Sequence, residues 1–319
     1  MDIIEQISNI GIVPVIAIDD ADKAVDLAKA LVAGSLPCAE VTFRTAAGQQ
    51  AIENIAKNVP EVLVGAGTVI NVEQAKLAIE KGAKFIVSPG YVDEVVEYCK
   101  QNNIPYLPGT SNASEMIKAV NAGLKYVKFF PAEANGGLNT LKALAPVVPT
   151  LKFMPTGGVN TKNFMDYLNY DRIFACGGSW MVKKDLINDE KWDEITNICK
   201  EVVKTMLGFS LKHIGINTED EQQAENTART LCSLFNLEYK AGNSSIFAGS
   251  EFECLKKPFL GKNGHLCVGT NNMNRALYYL EKKGIEFNED TRSLDDKGNT
   301  KNIYLKDEFG GFAIHIMKK

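Results

Sequence analysis

Short apolar runs alternate with amphipathic segments over the first two thirds of the chain. Each run is long enough for one buried strand, and apolar residues at helical spacing follow it. Eight runs fit this description, at residues 12–18, 38–43, 62–66, 84–88, 104–107, 126–130, 151–155 and 173–176. Helices are predicted between them, including 21–33, 72–81, 114–122 and 161–168. Eight strand-helix units in roughly two hundred residues predict an α/β TIM barrel with parallel strands.

The pattern changes after residue 208, where strands become short and turns rich in glycine and asparagine multiply. The segment 211–217 (LKHIGIN) is echoed by 264–270 (GHLCVGT). A helix is predicted after each segment, at 221–235 and 273–283, and further strands follow. We therefore expect two domains, a barrel at 1–208 and a smaller α+β domain of paired βαβββ modules at 209–319.

Composition and charge narrow the classes of partner. Hydrophobic residues make up 45% of the chain, and a net charge of −4 gives no reason to expect nucleic-acid binding. The seven cysteines lack CxxC spacing, which favours reduced thiols. The N-terminal segment has no basic region, and no apolar stretch is long enough to span a bilayer. We expect a cytoplasmic protein that binds neither nucleic acid nor membrane.

Lys128 is a candidate nucleophile, because it lies inside the apolar run Tyr126-Val127-Lys128-Phe129-Phe130. An ammonium group among such side chains loses hydration, which favours the neutral amine. A neutral amine can attack a ketone. The alternative is a lysine at the mouth of the strand, with its ammonium group in water.

Polar residues are concentrated where the predicted strands end, which is the catalytic face of a TIM barrel. The second strand carries Glu40 and Thr42 and is followed by Arg44, and Thr68 and Pro89 follow the third and fourth strands. Glu40 can move protons for an amine nucleophile, or it can form an ion pair with Arg44. Arg44 can instead bind a substrate carboxylate or phosphate in bidentate fashion.

Glycine pairs follow the seventh and eighth runs, in Thr156-Gly157-Gly158 and Gly177-Gly178-Ser179. Phosphate-binding barrels place backbone N–H groups beside an anion at these positions, and a helix N-terminus adds partial positive charge. Tight turns between strand and helix would require glycine as well. The recurrence at both positions favours a phosphate site.

The motifs PVIAI, AEVTFRT, VGAGTV, SPG, KFFPAEANGG, MPTGGV and GGSWMV occur in this order over residues 5–206. With them the chain resembles the 2-keto-3-deoxy-6-phosphogluconate (KDPG) aldolase / 4-hydroxy-2-oxoglutarate (KHG) aldolase family. The resemblance implies a class I aldolase, which is a lyase, with a homotrimeric TIM barrel and no cofactor for its reaction. It also implies that Lys128 forms the Schiff base and that Glu40 is the general acid/base.

The same resemblance assigns the binding residues and the substrate. Arg44, Thr68 and Pro89 are implied to surround a pyruvate moiety, and the distal, phosphorylated end is implied to lie at Thr156, Gly157, Gly158, Gly178 and Ser179. The expected partner is a small 2-keto acid. KDPG would be cleaved to pyruvate and glyceraldehyde 3-phosphate, and KHG to pyruvate and glyoxylate. The alternatives are a phosphosugar epimerase or isomerase that uses Lys128 as a base, and a noncatalytic ligand sensor.

The tail resembles the vicinal-oxygen-chelate, or glyoxalase-like, superfamily on shorter motifs. All three histidines of the chain, His213, His265 and His315, lie in it. The first two open the repeated modules, where the family has metal ligands, and His315 stands where the family usually has glutamate. Glu253, or Glu251 on the same face of its strand, completes a candidate divalent-metal site. The alternative is that these histidines make core hydrogen bonds without a metal.

Overall fold

The computed structural model describes residues 1–319, and the chain divides into two compact units, Met1–Val203 and Lys204–Lys319. The division falls within the helix Trp192–Leu207, shortly before the boundary predicted at 208. No helix in either unit is both long and apolar enough to cross a membrane.

The first unit contains nine short strands that pair only in parallel. They are β1 (Ile12–Ile16), β2 (Cys38–Thr42), β3 (Leu63–Gly67), β4 (Ile86–Val87), β5 (Tyr106–Leu107), β6 (Gly109–Thr110), β7 (Tyr126–Phe129), β8 (Lys152–Pro155) and β9 (Cys176–Gly178). The fifth apolar run, predicted as one strand, is continued past Pro108 by a second short strand. Proline has no backbone N–H for the ladder, so it interrupts the strand.

The strands of the first unit form two sheets that are linked end to end. One has the order β5-β4-β3-β2-β1-β9, and the other has the order β6-β7-β8. Only Pro108 separates β5 from β6, and the parallel bridges Phe153↔Ile173 and Thr156↔Gly177 join β8 to the segment that contains β9. Because all pairs are parallel, the carboxyl ends of the strands lie at one face.

Ten helices begin in the first unit. They are α1 (Ile3–Ile10), α2 (Ala24–Ala33), α3 (Gly48–Asn58), α4 (Val72–Glu80), α5 (Asp93–Gln101), α6 (Ala113–Asn121), α7 (Gly137–Leu144), α8 (Phe164–Leu168), α9 (Lys184–Asn188) and α10 (Trp192–Leu207). Their buried residues recur at helical spacing, as Ala51, Ile52 and Ile55 do in α3. The helix predicted at 161–168 begins only at Phe164.

Strands β1, β2 and β3 are buried on both faces, which is typical of parallel strands covered by helices. Two glycines on β3 leave room for larger neighbours. A Cβ at Gly65 would lie 2.4 Å from the ring of Phe85, and a Cβ at Gly67 would lie 2.4 Å from Oε1 of Glu40. The space beside β3 is therefore filled from adjacent strands, and one of the groups that fill it is a carboxylate.

The second unit is an eight-stranded sheet with two helices of its own. The strands are β10 (Ser210–Asn217), β11 (Tyr239–Ala241), β12 (Ser245–Ala248), β13 (Phe252–Leu255), β14 (His265–Thr270), β15 (Phe287–Leu294), β16 (Thr300–Leu305) and β17 (Ala313–Lys318), and the helices are α11 (Glu221–Phe235) and α12 (Met273–Glu281). Ala224 and Ala228 of α11 pack against Ile246 and Cys254 of the sheet. The small alanine side chains let the helix approach the sheet closely.

The sheet order is β11-β12-β13-β10-β14-β17-β16-β15, which is two βαβββ modules joined through their first strands. In each module the first strand pairs in parallel with the fourth, while β10 and β14 pair antiparallel. The registers also repeat: Gly215 is opposite Glu253 in the first module, and Cys267 is opposite His315 in the second. An approximate twofold axis between β10 and β14 therefore relates the modules.

Candidate active site and histidine cluster

Lys128 and Glu40 form a buried ion pair in the first unit. Lys128 lies on β7 and Glu40 on β2, and the lysine Nζ is 2.9 Å from the carboxylate Oε1. The two side chains are only 6% and 1% exposed. The hydrated lysine considered above is thus not what the structure shows, and the partner of Glu40 is Lys128 rather than Arg44.

Taking two charges out of water costs several kcal/mol for each ion, and a close, hydrogen-bonded partner offsets part of this cost. Lys128 satisfies Oε1 of Glu40, whereas Oε2 is buried and has no hydrogen-bond partner in the protein. The hydroxyl of Thr156 is buried and unpartnered as well. Both residues line the same cavity, so both atoms can bond to a molecule held there.

The cavity has a volume of about 300 Å³, at the lower end of the range for small-ligand sites. Its lining includes all ten barrel residues singled out from the sequence: Glu40, Arg44, Thr68, Pro89, Lys128, Thr156, Gly157, Gly158, Gly178 and Ser179. Thr42 lines it as well, together with Val15, Phe130 and Val159. The last three were not predicted as site residues, because apolar side chains carry no chemical signal in a sequence.

Arg44 and Thr68 lie where strands β2 and β3 end. The Arg44 Nε donates to the hydroxyl of Thr42 at 3.2 Å, and that hydroxyl donates to the carbonyl of Ile16 at 2.8 Å. These hydrogen bonds hold the guanidinium through Nε and leave its terminal nitrogens without a protein partner, on a residue that lines the cavity. Thr68 has φ of +60°, a left-handed conformation that is strained for a β-branched residue. Such strain is often found at functional sites.

The loop after β8 contains Gly157 and Gly158, with φ of +93° and +84°. A Cβ at Gly158 would lie 2.5 Å from the Cβ of Glu133, so the second glycine is also required by close packing. The backbone N–H groups of both glycines make no hydrogen bond within the protein and can bind an anion. At the end of β9, a Cβ at Gly178 would overlap the ring of Trp180.

The helices that follow the two glycine pairs do not begin next to them. The helices α8 and α9 have five residues each and begin at Phe164 and Lys184, several residues beyond the glycines. The helix predicted from residue 161 begins three residues later than expected, at Phe164. Any anion bound here would be held by loop amides and not by a helix dipole.

In the second unit, His213, His265 and Glu253 bring three ligand atoms together. His213 Nε2, His265 Nε2 and Glu253 Oε2 are each 3.2 Å from the other two. Such a triangle leaves a point about 2.0 Å from all three atoms, which is the length of zinc bonds to nitrogen and oxygen. The hydroxyl of Ser245 donates to Glu253 Oε1 at 2.7 Å and directs Oε2 towards the histidines.

The glutamate in this cluster is Glu253 and not Glu251, which is exposed and accepts from the backbone N–H of Ser250. Burial acts to raise the pKa of Glu253. Hydrogen bonds with His213, His265 and Ser245 outweigh this effect and hold the pKa well below its usual range. The side chain is therefore a carboxylate, the form that binds cations.

His315 approaches the same cluster from β17 and is 7% exposed. Its Nδ1 is hydrogen-bonded to Oδ1 of Asn302, so the ring proton lies on Nδ1 and the lone pair on Nε2. Burial, together with the nearby His265 and His213, lowers the pKa of His315 to about 3. Nε2 of His315 and Nδ1 of His265 have no partners, and unpartnered buried polar atoms are costly.

Comparison with known sequences covers the first unit. The family model of KDPG and KHG aldolases matches residues 3–198. The chain is 45% identical over 201 residues to the 2-dehydro-3-deoxy-phosphogluconate aldolase of Haemophilus influenzae, a match that covers 63% of this chain and 95% of that protein. It is 44% identical over 193 residues to the KHG/KDPG aldolase of Escherichia coli, covering 60% and 91%.

Solved structures give the same result. The KDPG aldolase of Legionella pneumophila, with pyruvate captured as a covalent carbinolamine, has a TM-score of 0.61 and 38% identity, covering 63% of this chain and 98% of that one. The Zymomonas mobilis KDPG aldolase with 3-phosphoglycerate has a TM-score of 0.58 and 38% identity, covering 62% and 93%. Since the family model matches more than half of the chain, the protein belongs to the KDPG and KHG aldolase family.

Proposed function

We propose that the first unit is a class I aldolase that cleaves KDPG to pyruvate and glyceraldehyde 3-phosphate through a Schiff base on Lys128. The observation that carries this proposal is the buried pair of Lys128 and Glu40 on the wall of a small cavity. An amine and a carboxylate 2.9 Å apart are the two groups that imine chemistry needs. The Legionella relative, which holds pyruvate as a covalent carbinolamine, supports the same chemistry.

The first half of the reaction joins the lysine to the substrate. The ammonium of Lys128 gives a proton to Glu40, and the resulting amine attacks the C2 ketone. Glu40 returns the proton to the hydroxyl of the carbinolamine, which leaves as water. The product is a cationic imine that withdraws electrons from C3. The ring of Phe130, whose centroid is 5.3 Å from Nζ, stabilises a cation at this position.

The second half breaks the carbon–carbon bond. Glu40, again a carboxylate, removes the proton of the C4 hydroxyl, directly or through a water molecule. The C3–C4 bond breaks, C4 becomes an aldehyde, and the electron pair of the bond passes to the imine to give an enamine. The enamine takes a proton at C3, and hydrolysis of the imine releases pyruvate and the free lysine.

We assign the two ends of the substrate to the two halves of the cavity. Arg44, Thr68 and Pro89 would hold the pyruvate end, and the glycine loops would hold the phosphate. The Zymomonas relative with 3-phosphoglycerate supports a phosphorylated ligand. Cleavage of KHG to pyruvate and glyoxylate would need only the residues of the pyruvate end, Arg44, Thr68 and Pro89.

The linked parallel sheets support a (β/α)8 TIM barrel as the fold of this unit. A homotrimeric assembly and a cytoplasmic location rest on the family resemblance and on composition, and they stay predictions.

For the second unit, we propose a glyoxalase-like domain that binds a divalent metal ion. The first module would contribute His213 and Glu253, and the second would contribute His265 and His315 from the equivalent strands. The triangle of ligand atoms and the unpartnered Nε2 of His315 support this reading over core hydrogen bonding. Three neutral imidazoles and a carboxylate suit zinc and other first-row divalent ions.

Borohydride trapping tests the Schiff base. With pyruvate present, sodium borohydride should reduce the imine and leave an adduct that mass spectrometry locates on Lys128. Lys128→Met should give no adduct. A lysine that acts only as a base forms no covalent bond, so a folded wild-type protein without an adduct on Lys128 would favour an epimerase or isomerase. Ligand binding without turnover would favour a sensor.

Gly67→Ala tests the placement of Glu40 without changing an ionisable group. The new Cβ would lie 2.4 Å from Glu40 Oε1, so the carboxylate must move away from Lys128. We expect kcat for KDPG cleavage to fall by roughly 10²- to 10⁴-fold, the contribution of general acid–base catalysis. Gly90→Ala, whose Cβ meets nothing within 4 Å, is the matched control and should retain activity. Full activity in a folded Gly67→Ala variant would remove Glu40 from the mechanism.

Gly158→Ala tests the phosphate loop. Both its φ of +84° and the 2.5 Å approach to Glu133 force the loop to shift. We expect kcat/KM for KDPG to fall at least about tenfold, as expected for losing one hydrogen bond to a charged group. The value for KHG should change much less, because KHG has no phosphate. Equal losses for both substrates would contradict the assignment of this loop.

Paired glutamate variants test the metal site. After chelator treatment and dialysis, the full-length protein should take up about one equivalent of Zn²⁺, measured by elemental analysis. Glu253→Gln keeps the shape of the side chain but removes its charge, and it should weaken binding by more than roughly 100-fold. Glu251 is exposed and directly precedes β13, so Glu251→Gln is the matched control and should bind Zn²⁺ as the wild type does. Absence of uptake by the wild type would refute the metal proposal.

A further inference from the structure

Glu133 lies directly behind the loop that carries Gly157 and Gly158, the phosphate loop, although it does not line the substrate cavity. Its backbone N–H donates to the carbonyl of Gly157 at 3.0 Å. Its Cβ and Cγ fill the space beside Gly158, since a Cβ on that glycine would lie 2.5 Å from both atoms. The two glycines line the cavity, whereas Glu133 lines a different depression. The position of the Glu133 side chain therefore limits how the loop can move.

The carboxylate of Glu133 is held by helix α8. The hydroxyl of Tyr167, a residue that is 1% exposed, donates to Oε1 of Glu133. Burial of the phenol and its bond to Glu133 raise the pKa of Tyr167, so the hydroxyl keeps its proton. A Cβ at Gly137 would lie 2.9 Å from Oε1 of Glu133 and 3.2 Å from the hydroxyl oxygen of Tyr167. The last glycine of the motif KFFPAEANGG therefore makes room for this hydrogen bond.

The hydrogen bond restricts a side chain that is otherwise exposed. A glutamate at the surface has several rotamers of similar energy, and fixing one of them costs conformational entropy. A donor on a buried, rigid ring offsets this cost and selects the rotamer in which Cγ of Glu133 supports Gly158. The loop is then ordered before a ligand binds, so less binding energy is spent on ordering it.

Helix α8 supports the two glycine loops at further points. Asn163, directly before the helix, donates through Nδ2 to the carbonyl of Gly158 at 3.3 Å. The ring centroid of Phe164 lies 6.0 Å from that of Trp180, the ring that fills the space beside Gly178. This short helix therefore supports the phosphate end of the cavity through its side chains rather than through its N-terminus.

We propose that Glu133, held by Tyr167, is a positioning residue for the phosphate loop, and that the pair increases the preference of the site for phosphorylated over unphosphorylated 2-keto acids. Neither residue lines the cavity, so the pair acts through the backbone N–H groups of Gly157 and Gly158. The pyruvate end of the site is not involved. This inference rests on the aldolase function proposed above and on the assignment of the phosphate to this loop.

Tyr167→Phe tests the pair, because it removes the hydroxyl and keeps the ring in the core. The carboxylate of the exposed Glu133 can turn to water, so no buried polar group loses its partner and the variant should fold. We expect kcat/KM for KDPG to fall about tenfold, mainly through KM, because the loop amides are less well placed for the phosphate.

Two further measurements and a control variant accompany this test. For Tyr167→Phe, kcat/KM for KHG and the rate of borohydride trapping with pyruvate should stay within about twofold of the wild type, because neither molecule has a phosphate. Tyr170→Phe is the matched control. Tyr170 lies just after α8 with its ring beside the ammonium of Lys142, and it makes no hydrogen bond to Glu133. This variant should match the wild type in all three measurements.

Two variants of Glu133 separate its position from its charge. Glu133→Ala removes the Cγ that supports Gly158 and should lose as much kcat/KM for KDPG as Tyr167→Phe does. Glu133→Gln keeps the shape of the side chain, and its amide oxygen can still accept from Tyr167, so its kcat/KM for KDPG should equal or exceed the wild-type value. A loss in Glu133→Gln as large as that in Glu133→Ala would overturn the positioning role.

The outcomes separate this inference from the function on which it rests. If the wild type neither cleaves KDPG nor forms an adduct on Lys128, the proposed function fails. If the wild type cleaves KDPG and Tyr167→Phe cleaves it equally well, this inference alone is refuted. Equal losses of KDPG cleavage, KHG cleavage and pyruvate trapping in Tyr167→Phe would indicate a general structural defect and would refute it as well.

Discussion

The burial of an ammonium beside a carboxylate is the constraint on which the first unit depends. Lys128 and Glu40 are 88 residues apart in sequence, and their strands hold them 2.9 Å apart. Removing either partner would leave an uncompensated buried charge, so the strands must be placed accurately. Gly67 gives the carboxylate its space on β3, and the ring of Phe130 lies beside the ammonium. Because the two side chains are only 6% and 1% exposed, water screens the pair little.

Strand positions in the first unit could be predicted because buried parallel strands appear in a sequence as apolar runs. The break at Pro108 could not, since a run with one proline at its end also fits a single strand. The proximity of Lys128 and Glu40 depends on how the sheets close, which no local pattern encodes. The predicted barrel put both residues at one face, and the family resemblance assigned their roles. The left-handed backbone of Thr68 likewise depends on its surroundings and gives no sequence signal.

The loops after β8 and β9 show where reasoning from a motif overreaches. A glycine pair after a strand indicates close backbone approach, and the packing of Gly158 on Glu133 agrees with that part. The other part of the expectation was a helix N-terminus that adds partial positive charge, with the helix after the first glycine pair predicted from residue 161. Here the chain continues through turns before α8 and α9. Anion binding then depends on a few loop N–H groups, and after β8 the left-handed Gly157 and Gly158 fix their directions.

The second unit illustrates how duplication can create a site that neither half contains. Each module carries two of the four candidate ligands, fewer than the three or four protein ligands that a zinc site needs. Only the pairing of β10 with β14 brings His213 and His265 to 3.2 Å. An ion that binds there would bind the joined modules and not the separate ones, so its binding energy would stabilise their association.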